Sequence, residues 1–224
     1  MNIRISHLLT ETSHEREKMS IESLSPLAGY GFDYRQHINE RYSGDAHLRF
    51  RPTKPGNHGP GHYGGFQSFK KAMEQDFTED LDAYIVCECD CVLSVSHERF
   101  AELAREAASV CREHLINYVT FGSTTNSQNG YVWSNVIEDH SNYGSFFLTD
   151  HIILAHCVLF PRHSREYLLR QLSTGAWDAV DLWVNWAFRD TTRIPLNRFA
   201  ACRQPVAYQH EGMSLLDGVW KGRQ

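Results

Sequence analysis

Apolar and polar positions alternate along Ile3-Arg-Ile-Ser-His-Leu-Leu, a period of two that predicts a first strand over 3–9. Thr10 to Ser13 then offer capping groups ahead of a helix over 15–24. A second strand is expected over 32–38, followed by the polar Asn39-Glu40-Arg41. Residues 51–61, rich in Pro and Gly, predict a loop. Phe66, Phe69, Ala72 and Met73 recur at helical spacing within a helix over 62–75. The most informative stretch is 83–93, an apolar run through Tyr84, Ile85 and Val86 that ends in two acids, Glu88 and Asp90. If the run is extended throughout, those carboxylates share one face while Cys87, Cys89 and Cys91 share the other. A buried central strand would thus deliver charge to the carboxyl edge of a sheet, where open α/β sheets bind ligands.

Ser96 caps a helical stretch over 100–115, and a strand is expected over 118–121. Further strands are predicted at 131–137, 145–149 and 152–160, helices at 164–172 and 177–188, and a loop and strand over 194–209. Alternating strands and helices in the first ninety or so residues argue for a parallel sheet covered by helices. The expected fold class is therefore α/β: one domain with a mainly parallel central sheet flanked by helices. Its first half, 1–122, has a nucleotide-binding pattern, and its second, 123–224, is mixed.

Composition narrows the partners. The chain has 224 residues, 42% of them hydrophobic, with 22 basic against 27 acidic residues and a formal net charge of -5. That balance, without a block of like charge, argues against nucleic acid or an anionic membrane as the main partner. No apolar run approaches the eighteen or so residues of a transmembrane segment. The amino terminus lacks the apolar core of a signal peptide, so a cytoplasmic protein is expected. The six cysteines form no C-x-x-C pair and read as reduced and structural.

Glu88-Cys89-Asp90 resembles the D-x-D motif of GT-A-fold glycosyltransferases, in an E-x-D variant. In that family the motif follows an apolar strand and holds a divalent cation on the diphosphate of a nucleotide-sugar donor. The resemblance implies Mn2+ or Mg2+ as cofactor, with Asp90 a direct ligand and Glu88 a direct or water-mediated one. It extends to the opening strand, whose end, Leu9, Thr10 and Glu11, would contact the nucleoside. It extends also to residues 59–72, Gly-Pro-Gly-His-Tyr-Gly-Gly-Phe-Gln-Ser-Phe-Lys-Lys-Ala, similar to the segment that brings a helix beside the donor in small phage, viral and lipopolysaccharide-type transferases. There His62 and Tyr63 would flank the donor, and Lys70 with Lys71 would assist its diphosphate. Tyr208-Gln-His-Glu-Gly-Met-Ser resembles the tail loop whose histidine, here His210, completes the metal shell. Residues 175–186 resemble the acidic-aromatic helix start of inverting relatives. They make Asp181 the expected general base and Asp178 its reserve, with Trp177 and Trp183 as a sugar-stacking platform.

The resemblance implies a nucleotide-sugar-binding half over 1–122 and an acceptor-side half over 123–224. It implies transfer of a sugar from a nucleoside diphosphate, a UDP-sugar, to a glycan or lipopolysaccharide-like acceptor. Two other classes stay open: a nucleotidyltransferase of sugar-nucleotide metabolism, and a non-catalytic carbohydrate-binding module. The first is disfavoured because Thr10-Glu11-Thr12-Ser13-His14 lacks a Gly-rich basic loop, and the second leaves the acid pair unexplained. A soft-metal site on Cys87, Cys89 and Cys91 is disfavoured too, since residues strung along one strand lie too far apart to share an ion. No G-x-S-x-G supports a serine hydrolase.

Overall fold

The computed structural model describes residues 1–10, 15–39, 42, 60–122, 125–126, 131–132, 136–138, 141–149, 156–188, 199–209, 212–213 and 220–221. In chain order, β1 (Ile3–Thr10) leads to α1 (Glu15–Leu24), β2 (Asp33–Asn39), α2 (Pro60–Asp76), β3 (Ala83–Cys87) and β4 (Cys91–Leu93). There follow α3 (His97–His114), β5 (Tyr118–Thr120), β6 (Val136–Glu138), β7 (Phe146–Thr149) and β8 (Cys157–Pro161). The chain continues through α4 (Arg165–Leu172), α5 (Val180–Ala187), β9 (Phe199–Cys202) and β10 (Ala207–Gln209). Two antiparallel pairs of two-residue strands, Thr125–Asn126 with Tyr131–Val132 and Gly212–Met213 with Trp220–Lys221, and three short 3-10 helices, Ser25–Tyr30, Ser141–Tyr143 and Arg162–Ser164, are also described.

Eight strands form one sheet in the order β2-β1-β3-β8-β5-β9-β7-β6. Six of them share one direction, and β8 and β7 oppose it. The expected mainly parallel α/β sheet is thus present. One of its two opposed strands, β8, comes from the second half of the chain and wedges between β3 and β5 of the first half.

Side-chain alternation on β3 assigns the layers. Ile85 and Cys87 join one apolar cluster with Leu24, Phe100, Ala104 and Cys111, from α1 and α3. Tyr84 and Val86 join another with Phe66, Phe69, Leu168 and Trp183, from α2, α4 and α5. All five residues of β3 are buried, as a strand covered on both faces requires. The cap at Ser96 is present, its side chain accepting from Arg99 N–H at 3.2 Å.

Two expectations are corrected here. The run 83–93 is not one strand: β3 stops at Cys87 and β4 starts at Cys91, with a tight turn between them. The helix expected from 177 starts at Val180, and Trp177 and Trp183 are buried against Tyr63, Phe66 and Phe69. They are core, not a sugar platform.

At the amino edge of the sheet, the fully buried Arg4 guanidinium anchors α2 to β1. It bonds Asp76 Oδ1 at 3.3 Å, Asp33 Oδ2 at 2.6 Å and Glu79 Oε2 at 2.6 Å. Asp76, itself buried, also accepts from Ser6 and from His37 at 2.7 Å. Burial alone would raise the Asp76 carboxyl, but the bonds from His37 and Ser6 and the charges of His37 and Arg4 outweigh it and hold it below its ordinary value. The sign follows: this stabilisation is complete above the ordinary carboxylate range and is lost as pH falls through and below it. Asp76→Ala is expected to cost about 3 kcal/mol or more by leaving Arg4 short of a buried partner, and to flatten the acid limb of stability below about pH 4. Urea unfolding of both proteins across pH checks this, and an unchanged acid limb would contradict it.

Candidate active site

The two acids sit on a turn built by the backbone. Cys91 N–H donates to Glu88 O at 3.1 Å, closing the turn, and Glu88 N–H donates to His156 O at 3.0 Å, fastening it to the residue before β8. A four-residue turn replaces the extended geometry because β4 leaves the main sheet to pair with β10, Gln209 standing opposite Cys91. Gln209 Nε2 lies 3.5 Å from Glu88 Oε2. Asp90 is buried and Glu88 half-buried.

A polar chain supports the turn from below. Ser20 on α1 gives its hydroxyl hydrogen to Cys91 O at 2.6 Å, so its oxygen is left to accept from His7 Nε2 at 2.8 Å. His7 Nδ1 then accepts from the Tyr34 hydroxyl at 2.7 Å. Burial lowers His7 to about 4, against a hydrogen bond with the Glu88 backbone that raises it, so the ring is neutral at ordinary pH. Burial also pushes the Tyr34 phenol up to about 12, which keeps its donor proton. Sequence reasoning missed His7, Ser20, Tyr34 and Gln209. The available signal was a histidine and a serine set in the apolar run of β1 and on the inner side of α1.

Topology gathers most of the expected residues at one edge. His7 pairs with Cys87, so Leu9 and Thr10 extend past the end of β3 toward the acidic turn. Leu9 is buried, and Thr10 N–H donates to Glu17 at 2.7 Å. Helix α2 ends at the Arg4 anchor on the amino edge, so its first turn, with half-buried His62 and buried Tyr63, stands at the carboxyl edge. Tyr63 packs edge-on against Trp177 with ring centroids 5.0 Å apart. Asp178 follows, buried, its Oδ1 accepting from Ala179 N–H at 2.8 Å. Asp181, in the first turn of α5, accepts from Leu182 N–H at 2.8 Å.

Lys70 is not brought to this edge. It lies about two helical turns beyond His62 and 3.7 Å from Glu74, a surface ion pair. Cys89 is at the apex of the turn, partly exposed. Glu11 and His210 lie outside the described residues. Gln209, the residue before His210, is the one bonded to Glu88.

The electrostatics favour a cation. Glu88 is pushed well above the ordinary carboxylate range by burial first, then by the charges of Asp90 and Asp181 and the Cys91 sulfur, while the Gln209 bond opposes the shift. Asp181 is therefore within electrostatic reach of the turn. Glu88, acted on by the charges of Asp90 and Asp181, forms with them a set of oxygen donors of the kind that suits a hard divalent ion. They do not close a cage alone: among the described residues, the only three ligand atoms within 4.8 Å of one another are the sulfurs of Cys87, Cys91 and Cys157. Mg2+-type sites are commonly held by one or two carboxylates, with waters and substrate phosphates completing the shell. Glu88 and Asp90 fit that arrangement.

Comparison with known proteins adds little. No protein-family model matches the chain, and no curated protein does. Among solved structures, S. aureus TarS 1–349 aligns with a TM-score of 0.47 at 12% identity, over 93% of this chain and 60% of that one. The chain thus spans less than two thirds of that neighbour. The roles of the residues rest on their own geometry.

A cavity of about 840 Å3 lies elsewhere, at the amino edge, lined by Asp80, Asp82, Arg112, Arg162 and Arg165 among others. It is remote from the acids. The His7 chain gives a direct test: the His7 ring is buried, and His7→Leu strips a partner from both the Tyr34 hydroxyl and the Ser20 oxygen. A loss of about 2 kcal/mol is expected, read as a lower urea midpoint, and an unchanged midpoint would contradict the assignment.

Proposed function

We propose that the protein is a metal-dependent glycosyltransferase that moves a sugar from a nucleoside diphosphate, UDP, to a hydroxyl of a glycan or lipopolysaccharide-like acceptor. The observation that carries the reading is the convergence of Glu88, Asp90 and Asp181 at the carboxyl edge, on a turn and a helix start that come from opposite halves of the chain. Asp90 and Glu88 hold Mn2+ or Mg2+, with His210 as further ligand. The bound ion supplies positive charge where the departing diphosphate becomes more negative. Leu9, Thr10 and Glu11 meet the nucleoside, and His62 and Tyr63 flank the donor from the start of α2.

Asp181 acts as general base. It takes the proton of the acceptor hydroxyl, whose oxygen bonds to the sugar carbon as the bond to the diphosphate breaks, the electron pair leaving with the diphosphate. Asp181 is preferred to Asp178 on accessibility: Asp178 is 1% exposed and turned to its own backbone, whereas Asp181 is partly exposed. A base must reach the proton that it removes. The reading assigns the enzyme to the cytoplasm, in keeping with six free cysteines. No helix among the described residues is long and apolar enough to cross a membrane.

The test is a transfer assay over a panel of nucleotide-sugars with Mn2+, comparing wild type with Asp181→Asn. Asp181→Asn is expected to bind the donor normally and to transfer about a hundredfold more slowly, the scale of a lost general base. Normal turnover would remove Asp181 from the role. Wild-type protein inert toward every donor would contradict the glycosyltransferase reading itself.

A further inference from the structure

The three-sulfur cluster beneath the acidic turn has no part in the reading above. Cys87 ends β3, Cys91 begins β4, and Cys157 begins β8 directly opposite Cys87 in the antiparallel register. All three are fully buried, and their sulfurs lie within 4.8 Å of one another. The Cys87 and Cys157 sulfurs are 3.7 Å apart. In a tetrahedral zinc–thiolate site, bonds of about 2.3 Å put neighbouring sulfurs about 3.8 Å apart. Cys87-x3-Cys91 also falls within the spacing of structural zinc pairs, two to four residues between ligands.

A buried histidine lies beside the cluster. His156, next to Cys157, is fully buried, its Nε2 lies 3.1 Å from Ala207 O, and its Nδ1 has no hydrogen-bond partner among the described residues. With Nε2–H given to a carbonyl, Nδ1 carries a bare lone pair, but it stands outside the group of three sulfurs that lie within 4.8 Å of one another. The ring acts electrostatically on Cys91. Residue 122 is glycine where any Cβ would come within 2.4 Å of His156 Nε2, so the backbone makes room for this ring.

We propose that Cys87, Cys91 and Cys157 bind one soft divalent cation, Zn2+, as thiolates. Binding exchanges three thiol protons for the ion, with no change of oxidation state. Because Cys87 and Cys91 are the residues immediately before Glu88 and immediately after Asp90, the ion staples the two ends of the acidic turn together and ties both to β8. Its role is structural and separate from the carboxylate-bound cation. Thiolates select Zn2+ over the hard ions that carboxylates and waters suit.

Cobalt(II) reports the ligands, since thiolate coordination gives an intense near-ultraviolet charge-transfer band that carboxylate coordination does not. The full chain, reduced with a phosphine and stripped of metal, is titrated with Co2+ and then Zn2+. Expected are about one thiolate-bound Co2+ per chain, displacement by Zn2+ and a raised melting temperature with Zn2+. The band should be lost in Cys157→Ala and in Cys91→Ala, and kept in Cys202→Ala and Asp90→Ala, with circular dichroism showing each variant folded. Retention in Asp90→Ala separates this site from the carboxylates. No band on folded wild-type protein, or a band that survives Cys157→Ala, overturns the proposal. So does isolation of the chain with a Cys87–Cys157 disulfide and no metal affinity after reduction. If the cysteine variants do not fold, zinc content of wild-type protein purified without chelator decides: about one per chain supports the site, and none overturns it.

Discussion

Packing carboxylates at the end of a fully buried strand is costly unless something compensates them, and much of the structure serves that constraint. The turn from Glu88 to Cys91 closes on itself, hangs from His156 by one backbone bond, and rests on the Ser20 hydroxyl, which donates to Cys91 O. Through Ser20 it reaches His7 and Tyr34, so β1, β2 and α1 all bear on its position. These bonds fix the backbone of the turn rather than its carboxylates. The Glu88 carboxyl is raised by its burial and by the charges of Asp90 and Asp181, with the Gln209 bond opposing. On the proposed reading, a turn held this rigidly is prepared for an ion that arrives with a substrate.

The sheet explains why acids from distant parts of the chain meet. β8 enters antiparallel beside β3, so the chain runs from it into α4 and then to the start of α5. Trp177 and Trp183 lock that start onto α2 through Tyr63, Phe66 and Phe69. Asp181 consequently comes within electrostatic reach of Glu88. At the far edge, Arg4 pins the end of α2, which fixes where its first turn stands.

Much of this was legible in the sequence, for identifiable reasons. Helix α1 has its predicted bounds, and α2 and α3 differ by a few residues, because periodic apolar faces and a capping serine are local signals. The buried strand ending in acids was legible because an apolar run bounded by carboxylates has few other uses. The turn was not, since nothing in Glu-Cys-Asp-Cys forbids extension; its cause is β4 pairing with β10, more than a hundred residues later. Alternation therefore grouped Cys89 with Cys87 and Cys91, whereas the third member of the cluster is Cys157, supplied by a strand whose insertion is a tertiary fact. The tryptophans show the same limit: a large indole beside an acid suits a binding platform or a core, and only packing distinguishes them.

The central claim is that the acidic turn binds a nucleoside diphosphate through a divalent cation. Calorimetric titration of UDP into the protein with Mn2+, with chelator in its place, and into Asp90→Ala with Mn2+ tests it most directly. The account predicts saturable binding in the first case and loss of binding in the other two, with Asp90→Ala still folded by circular dichroism. Binding that is indifferent to Mn2+ and to Asp90, or absent throughout a panel of nucleoside diphosphates, would contradict it.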